Sequence, residues 1–312
     1  MNKILGLHHI TAIASDAQRN YDFYTQTLGF RLIKKTVNFD DPTTYHLYFG
    51  DEVGTPGTVI TFFPWAGISK GRIGNGMATE IGYSVPKGSL DFWKARLEKL
   101  NIRYENGREV FGEKQLSFED PDGLKLKLIE SKQKDERKGP ETAEIKADVA
   151  IKGFHTVTLS LQNIKATAAI LTEVFGYKLI DQKDNLYRYQ TDVVETAALV
   201  DLLEMPLATV GVNAGGTNHH VAFRVKDEED LMAMREKIVA RGLHITEKIN
   251  RDYFFSLYFR EPGGVLFEIA TDNPGFATDE TVENLGSSLQ LPNQHESMRA
   301  QIEKALPKLQ TK

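Results

Sequence analysis

The chain repeats itself. Residues 28–33 (LGFRLI) can be laid over residues 175–180 (FGYKLI), and residues 116–123 (LSFEDPDG) over residues 257–264 (LYFREPGG). Both pairs lie about half of the 312 residues apart, so the fold must be one that is built twice. Within each half the local signals also run through one order twice: strand, helix, three strands. In the first half, residues 7–14 (LHHITAIA) read as a strand. Asp16 reads as the cap of a helix that stops at Gly29, and 30–36, 44–49 and 58–63 as three strands. A second unit starts near 78–85, with a helix over about 89–100 and strands at 109–111, 115–119 and 124–130. The second half restarts with a strand at 153–161 and a helix capped by Asn163 that stops at Gly176. The expected fold class is α+β, with four βαβββ units in place of a doubly wound parallel sheet.

Between the halves, residues 131–148 (SKQKDERKGPETAEIKAD) are nearly all charged or small. Such a segment buries little apolar surface and is expected to run over the outside. The expected organisation is a first pair of units at 1–130, a linker at 131–150, a second pair at 151–275 and a tail at 276–312, with a short helix over about 296–309. The tail either packs across the domains or joins a second copy, which leaves a homo-oligomer open.

Composition narrows the chemistry. Lys and Arg number 38 against 43 Asp and Glu, a net charge of −5, which is not the basic footprint of a nucleic-acid binder. Nor is there a polybasic membrane signal. No run of about 18 apolar residues suggests a membrane span, and residues 1–6 lack the pattern of a signal peptide. Cysteine is absent, which removes disulfides, iron–sulfur clusters, zinc ribbons and thiol nucleophiles together. These features suit a cytoplasmic protein with neither nucleic-acid nor membrane partners. Any metal must be held by His, Asp or Glu, with Tyr as a further option.

Two histidine pairs, His8–His9 and His219–His220, lie near the starts of units. Neighbours on a strand point to opposite faces, so one member of each pair is expected to face inward and the other away. Glu268 sits in VLFEIAT, an apolar strand in which a charge is seldom buried unless paired or coordinated. The repeat supplies an internal control. Overlaying the units puts Thr156 opposite His9, Glu80 opposite His220 and Lys127 opposite Glu268. Units one and four thus supply His, His and Glu, whereas units two and three supply Thr, Glu and Lys, which cannot hold a metal. One metal site built jointly by units one and four is expected, with a Glu80–Lys127 ion pair in its counterpart. Two histidines and one carboxylate leave coordination positions open and suit a non-haem Fe(II) that binds substrate and O2 together. Mn(II) and Zn(II) accept the same ligands. The glycine-rich GRIGNG (71–76) lacks the strand–loop–helix order of a dinucleotide site and reads as a flexible loop; DEED (227–230) reads as the acidic first turn of a helix.

The four units, with LHHIT, NHHVAF, YFREPGGVLFEIAT, VPKGSL (85–90) and YHLYFGDEVGTPGTVITFFPW (45–65), resemble the vicinal-oxygen-chelate superfamily, and within it the ring-cleaving dioxygenases that act on hydroquinones. The likeness spans about residues 3–290. It implies two vicinal-oxygen-chelate domains and Fe(II) held by the second His of each pair and the strand Glu, which match His9, His220 and Glu268. It further implies functional residues that match His8, Thr11, His219, Arg251 and Tyr258, with a small aromatic substrate and O2 as partners. In that scheme Tyr258 donates a hydrogen bond to bound substrate, His219 or His8 shuttles a proton and Arg251 stabilises anionic charge. Two other readings use the same scaffold. A glyoxalase-like metal isomerase usually wants a second glutamate in unit one, where VITFFPW offers no acid. A non-catalytic aromatic- or quinone-binding resistance protein would lack the His–His–Glu set.

Overall fold

The computed structural model describes residues 3–107 and 109–311. Unit one runs β1 (Leu7–Ala14), α1 (Ala17–Asp22), β2 (Arg31–Val37), β3 (Tyr45–Gly50) and β4 (Val59–Pro64). Unit two runs β5 (Met77–Val85), α2 (Leu90–Lys99), β6 (Tyr104–Asn106), β7 (Gln115–Glu119) and β8 (Lys125–Glu130). Unit three is β9 (Gly153–Leu161), α3 (Lys165–Ala169), β10 (Lys178–Lys183), β11 (Leu186–Gln190) and β12 (Leu199–Glu204). Unit four is β13 (Thr217–Val225), α4 (Glu228–Ala240), β14 (Ile249–Asn250), β15 (Phe254–Arg260) and β16 (Leu266–Pro274).

The units pair outer with outer and inner with inner. One eight-stranded sheet runs β14-β15-β16-β13-β1-β4-β3-β2 and combines units four and one. The other runs β10-β11-β12-β9-β5-β8-β7-β6 and combines units three and two. In the first sheet β1 and β13 meet antiparallel at the centre, and in the second β9 and β5 do the same. Helices cover one face of each sheet, where Tyr24, Trp93, Phe175 and Phe223 are wholly or almost wholly buried.

The central ladders carry matching irregularities. Along β1 and β13 the register slips between Leu7 and His9, and again between Thr11 and Ala12, leaving His8 and His219 as extra residues. Along β5 and β9 it slips between Ala78 and Glu80 and between Gly82 and Tyr83, leaving Thr79 and His155 as the extras. These are β-bulges, which break strict alternation and re-aim side chains. They correct the expectation that the two members of each His pair face apart. Instead, His8 and His9 meet through their ring Nδ1 atoms at 2.8 Å, as do His219 and His220.

Other expectations shift locally. Asp16 caps α1, accepting from the Arg19 N–H at 2.7 Å, and Asp227 caps α4 through Asp230 N–H at 3.1 Å. Asn163 is one residue too early to be the cap of α3, which is Ile164, but its side chain accepts from Lys165 N–H at 2.9 Å. The strand expected at 109–111 is displaced to β6. Its Tyr-Glu-Asn sequence has no apolar alternation to reveal it, while Phe111 and Gly112 turn the chain with φ of 52° and 69°. The GRIGNG stretch is pinned, not free, because Arg72 and Asn75 bridge to Val212 and Val210. A Cβ on Gly74 would lie 2.4 Å from the Thr209 carbonyl oxygen, so this close approach needs glycine.

The linker crosses the surface without regular structure, held by buried Ile145 and by Arg137, which donates to the Gly57 and Phe154 carbonyls. The tail folds as a 3-10 turn at Asn293–Met298 followed by α5 (Arg299–Ala305). This helix ends short of the expected 309 because Pro307 forces Leu306 into an extended conformation, ψ 140°. Along its course the tail lies on the β2 edge of the first sheet. Lys34, wholly buried, donates to Asp279 and Glu280 at 2.6 Å each, and Lys35 bridges to Leu289.

Candidate metal centre and active site

His9, on β1, and His220, on β13, come from facing strands at the centre of the first sheet, and Glu268 lies next to them on β16. The bulges turn both imidazoles onto the face that carries Glu268. The possible ligand atoms of the three residues all lie within 4.8 Å of one another, and all three residues are buried. His220 Nε2 is 2.8 Å and His9 Nε2 3.2 Å from Glu268 Oε2. These approaches do not have hydrogen-bond geometry. Both Glu268 oxygens and His220 Nε2 are buried with no hydrogen-bond partner.

An unbonded carboxylate in the interior costs several kcal/mol unless a cation compensates it. Burial pushes the Glu268 carboxyl up, but His9 and His220 outweigh it and hold the group well below its usual range, so it is ionised. Burial pushes His220 down, toward the neutral form that has a lone pair to give. Two imidazoles and a carboxylate converging with unsatisfied lone pairs fit a divalent transition metal.

The paired histidines fix the ligands' tautomers. If Nε2 of His9 and His220 is the ligating atom, Nδ1 carries the proton and is donated to Nδ1 of His8 and His219. The protons of His8 and His219 then sit on Nε2. His8 donates its own to the Thr271 carbonyl at 3.1 Å and lies behind the site. His219 makes no second hydrogen bond among the described residues and lines the cavity above the cluster. Burial lowers both, to about 3, with His9 adding to the effect on His8 and His220 on His219. At neutral pH they are therefore N–H donors and not the near-neutral titrating shuttles expected from an unperturbed histidine.

A cavity of about 420 Å³ opens over His9 and His220, with Phe39, Phe63, Trp65, Phe254 and Tyr258 among its walls. Arg251 and Tyr258 both line it, and the Arg251 guanidinium sits 5.2 Å from the centre of the Tyr258 ring and 5.0 Å from that of Phe39. Burial, reinforced by Glu268, raises the Tyr258 hydroxyl, which keeps its proton. Thr11 and His8 are not among the lining residues. Thr11 is buried below the floor, sharing a 2.8 Å hydrogen bond with Thr61.

Sequence reasoning gave no role to His46. It lines the cavity, and its ring nitrogens are both engaged, with Thr61 at 2.8 Å and Tyr48 at 2.9 Å. The HLY spacing on a strand was the available signal, since it places His46 and Tyr48 on one face. Thr61 occupies the place where the repeat would put a second carboxylate. It stands beside Thr11 on β4 as Glu268 stands beside Ala222 on β16, so it is the symmetry-related counterpart of Glu268. A hydroxyl already shared between two neighbours takes the place of a second carboxylate.

A family profile described as Glyoxalase/Bleomycin resistance protein/Dioxygenase superfamily matches residues 6–128 and 153–269. MhqO of Bacillus subtilis (strain 168), whose ring-cleaving dioxygenase designation is itself provisional, is 46% identical over 304 residues, covering 97% of this chain and 96% of its own length. The chlorohydroquinone/hydroquinone 1,2-dioxygenase of Sphingobium indicum is 34% identical over 307 residues, 96% of this chain and 95% of that protein. A crystal structure of a provisionally assigned Bacillus subtilis dioxygenase superposes with a TM-score of 0.96 at 44% identity, covering 100% of this chain and 99% of that one. Glyoxalase I from Zea mays, at 16% identity and a TM-score of 0.63 over 86% of this chain and 92% of its own, shares the fold. With both halves of the chain matched and the paired βαβββ sheets in place, this protein belongs to the glyoxalase/bleomycin resistance/dioxygenase superfamily.

Proposed function

We propose that the protein is a ring-cleaving dioxygenase that takes a hydroquinone-type ring, a substituted 1,4-dihydroxybenzene, and O2. In this reaction both oxygen atoms enter the product and one ring C–C bond breaks. The observation that carries the reading is the three-residue ligand set, without a second carboxylate, beside a cavity walled by aromatic rings. The named dioxygenase relatives support it.

His9, His220 and Glu268 would hold Fe(II), with Mn(II) and Zn(II) accepting the same set. Bound there, the metal supplies a Lewis-acid centre that favours the phenolate form of a hydroquinone and brings it together with O2. The protein's own groups do the rest. Phe63, Trp65 and Phe39 flank a flat ring and exclude water. The His219 Nε2–H points a neutral donor into the cavity, and Tyr258, protonated, offers a second at its hydroxyl. Arg251 supplies a fixed positive charge where ring opening builds up anionic oxygen. His8 positions His9, and Thr11 positions the Thr61–His46 floor.

The test is O2 uptake by anaerobically purified, Fe(II)-loaded protein with a panel of hydroquinones and catechols, beside the His9→Ala and Glu268→Ala variants. Uptake that needs Fe(II), matches substrate loss and vanishes in both variants is expected. Absent uptake with iron verified in the site would overturn the reading. Tight aromatic binding without turnover would then favour a sequestering protein, and conversion of a glutathione hemithioacetal would favour an isomerase.

A further inference from the structure

The walls of the cavity are not all supplied by the repeat. Unit one joins β2 to β3 by a seven-residue loop, 38–44, whereas unit three joins β10 to β11 by two residues, 184–185. The longer loop closes on itself. Asn38 accepts from Asp40 N–H at 2.8 Å, and Asp41 accepts from the Thr43 and Thr44 hydroxyls at 2.7 and 2.6 Å. It also reaches across the site mouth, where Asp41 accepts from Trp65 Nε1–H at 3.0 Å and the Phe39 ring stacks on Arg251. Among the described residues, the carbonyl of Phe39 is held from outside by the tail alone, by Gln294 Nε2–H at 3.1 Å and His295 Nε2 at 2.9 Å.

The tail has no counterpart in the repeat. It is anchored at its start by the buried Lys34 with Asp279 and Glu280, and Asp279 also accepts from the Tyr253 hydroxyl at 2.8 Å. Tyr253 precedes Phe254 and donates its backbone N–H to the Arg251 carbonyl at 2.8 Å, and both Phe254 and Arg251 line the cavity. The tail thus grips both sides of the mouth, the Tyr253 side through Asp279 and the Phe39 side through Gln294 and His295.

We propose that the C-terminal tail is part of the substrate site: Gln294 and His295 act as positioning residues that fix Phe39 as the outer wall, and so limit the size of ring substituent the cavity admits. The substrate class rests on the dioxygenase reading above, but the strap itself does not. A backbone carbonyl held by two donors at the end of a loop is a short lever on the ring it carries. Losing both bonds frees the loop to move as one body, because its internal hydrogen bonds remain.

Only two tryptophans occur in the chain, Trp65 and Trp93, so Trp93→Phe leaves Trp65 as a reporter of the loop. In that background, Gln294→Ala with His295→Ala is expected to raise acrylamide quenching of Trp65. For the active enzyme, KM for unsubstituted hydroquinone should rise about fivefold with kcat within about twofold, as two modest hydrogen bonds predict. Preference should shift toward hydroquinones with bulkier substituents. His295→Gln with Gln294 retained restores a donor and should return both readouts toward those of the parent. Gln294 is exposed and His295 half-buried, so an unchanged thermal midpoint is expected and separates positioning from unfolding. Unchanged Trp65 quenching in the folded double variant would overturn the strap, whatever the activity. If the parent shows no turnover, the dioxygenase reading fails and the quenching still decides the strap. If quenching rises but substituent preference does not, the tail holds the loop without selecting substrate, and the proposal is refuted in that part.

Discussion

Around its two bulges the first sheet carries His9, His220, Glu268 and Thr61, and around the same two bulges the second carries Thr156, Glu80, Lys127 and Asp201. The backbone is the same in both places, yet among the described residues only the first set brings three possible ligand atoms within 4.8 Å of one another. Glu80 and Lys127 pair with each other, as expected from the sequence. Asp201 forms two 2.8 Å hydrogen bonds with Arg188, which also reaches Glu113, and His155 closes the cluster at 2.9 Å from Glu113. His155 is the counterpart of His8 and Arg188 that of Tyr48. The second sheet therefore pairs its charged groups with one another. The first leaves a carboxylate and an imidazole nitrogen unsatisfied. Bulges make a site available, and unmet valence at the bulges gives it chemistry.

The largest effect should come from the ligands. Glu268→Ala or His9→Ala is expected to abolish metal retention and any O2 uptake, while Glu80→Ala leaves both unchanged. Elemental analysis beside an oxygen electrode reads this contrast. The converse graft, Thr156→His with Glu80→His and Lys127→Glu, should add a second equivalent of bound metal. A graft that folds and binds none would mean that the bulge geometry is insufficient.

Next comes the buried charge cluster. Arg188→Met leaves Glu113 and Asp201 without their cation and should destabilise the protein by about 3–5 kcal/mol, seen as a lower denaturant midpoint. Burial pushes the Glu113 carboxyl up, but His155 and Arg188 outweigh it and hold it at about 2, against an ordinary 4.5. A depressed acid stabilises fully above its unfolded value, so this contribution is complete above pH 4.5 and fades as pH falls toward 2. Glu113→Gln should flatten that acid limb of the stability curve. An unaltered limb would place the acid sensitivity elsewhere.

The edges differ as much as the centres. Ile33 of β2 is 0% exposed beneath the tail, whereas Ile180, its repeat counterpart on β10, is 50% exposed. Ile33→Ala should cost about 2–5 kcal/mol and Ile180→Ala about 0.5 kcal/mol or less. Equal losses in thermal or denaturant melts would deny the tail its covering role.

The smallest contrast concerns the histidines behind the ligands. His8→Ala should weaken metal affinity about 10–100-fold by freeing the His9 ring. His155→Ala should leave metal affinity unchanged, as a competition titration with a chelator would read.

Much of this was legible in the residues. The overlay of units placed His9, His220 and Glu268 against Thr156, Glu80 and Lys127, and the Glu80–Lys127 pair of the second set was readable too. The role of His219 was only half legible. Its position near a ligand follows from the pair, but its lowered value follows from burial beside His220, which no local pattern encodes. His8 and Thr11, which the resemblance implied as functional residues, lie behind their neighbours, His8 bonded to His9 and the Thr271 carbonyl and Thr11 to Thr61. His46 and Phe39 were missed because their relation to the site runs through other strands and the tail.

The sequence by itself determined the repeat, the order of elements, the absence of thiol chemistry and the three residue types able to hold a metal. Those properties are local or self-comparing, so one chain suffices to state them. Tertiary structure alone decided that both members of each His pair turn to one side, that Thr61 stands where a fourth ligand would stand, and that the tail holds the carbonyl of Phe39, a wall of the cavity. Each of these depends on the register between strands far apart in the chain. Register is set by how the whole sheet packs, because one extra residue at a bulge re-aims the side chains around it.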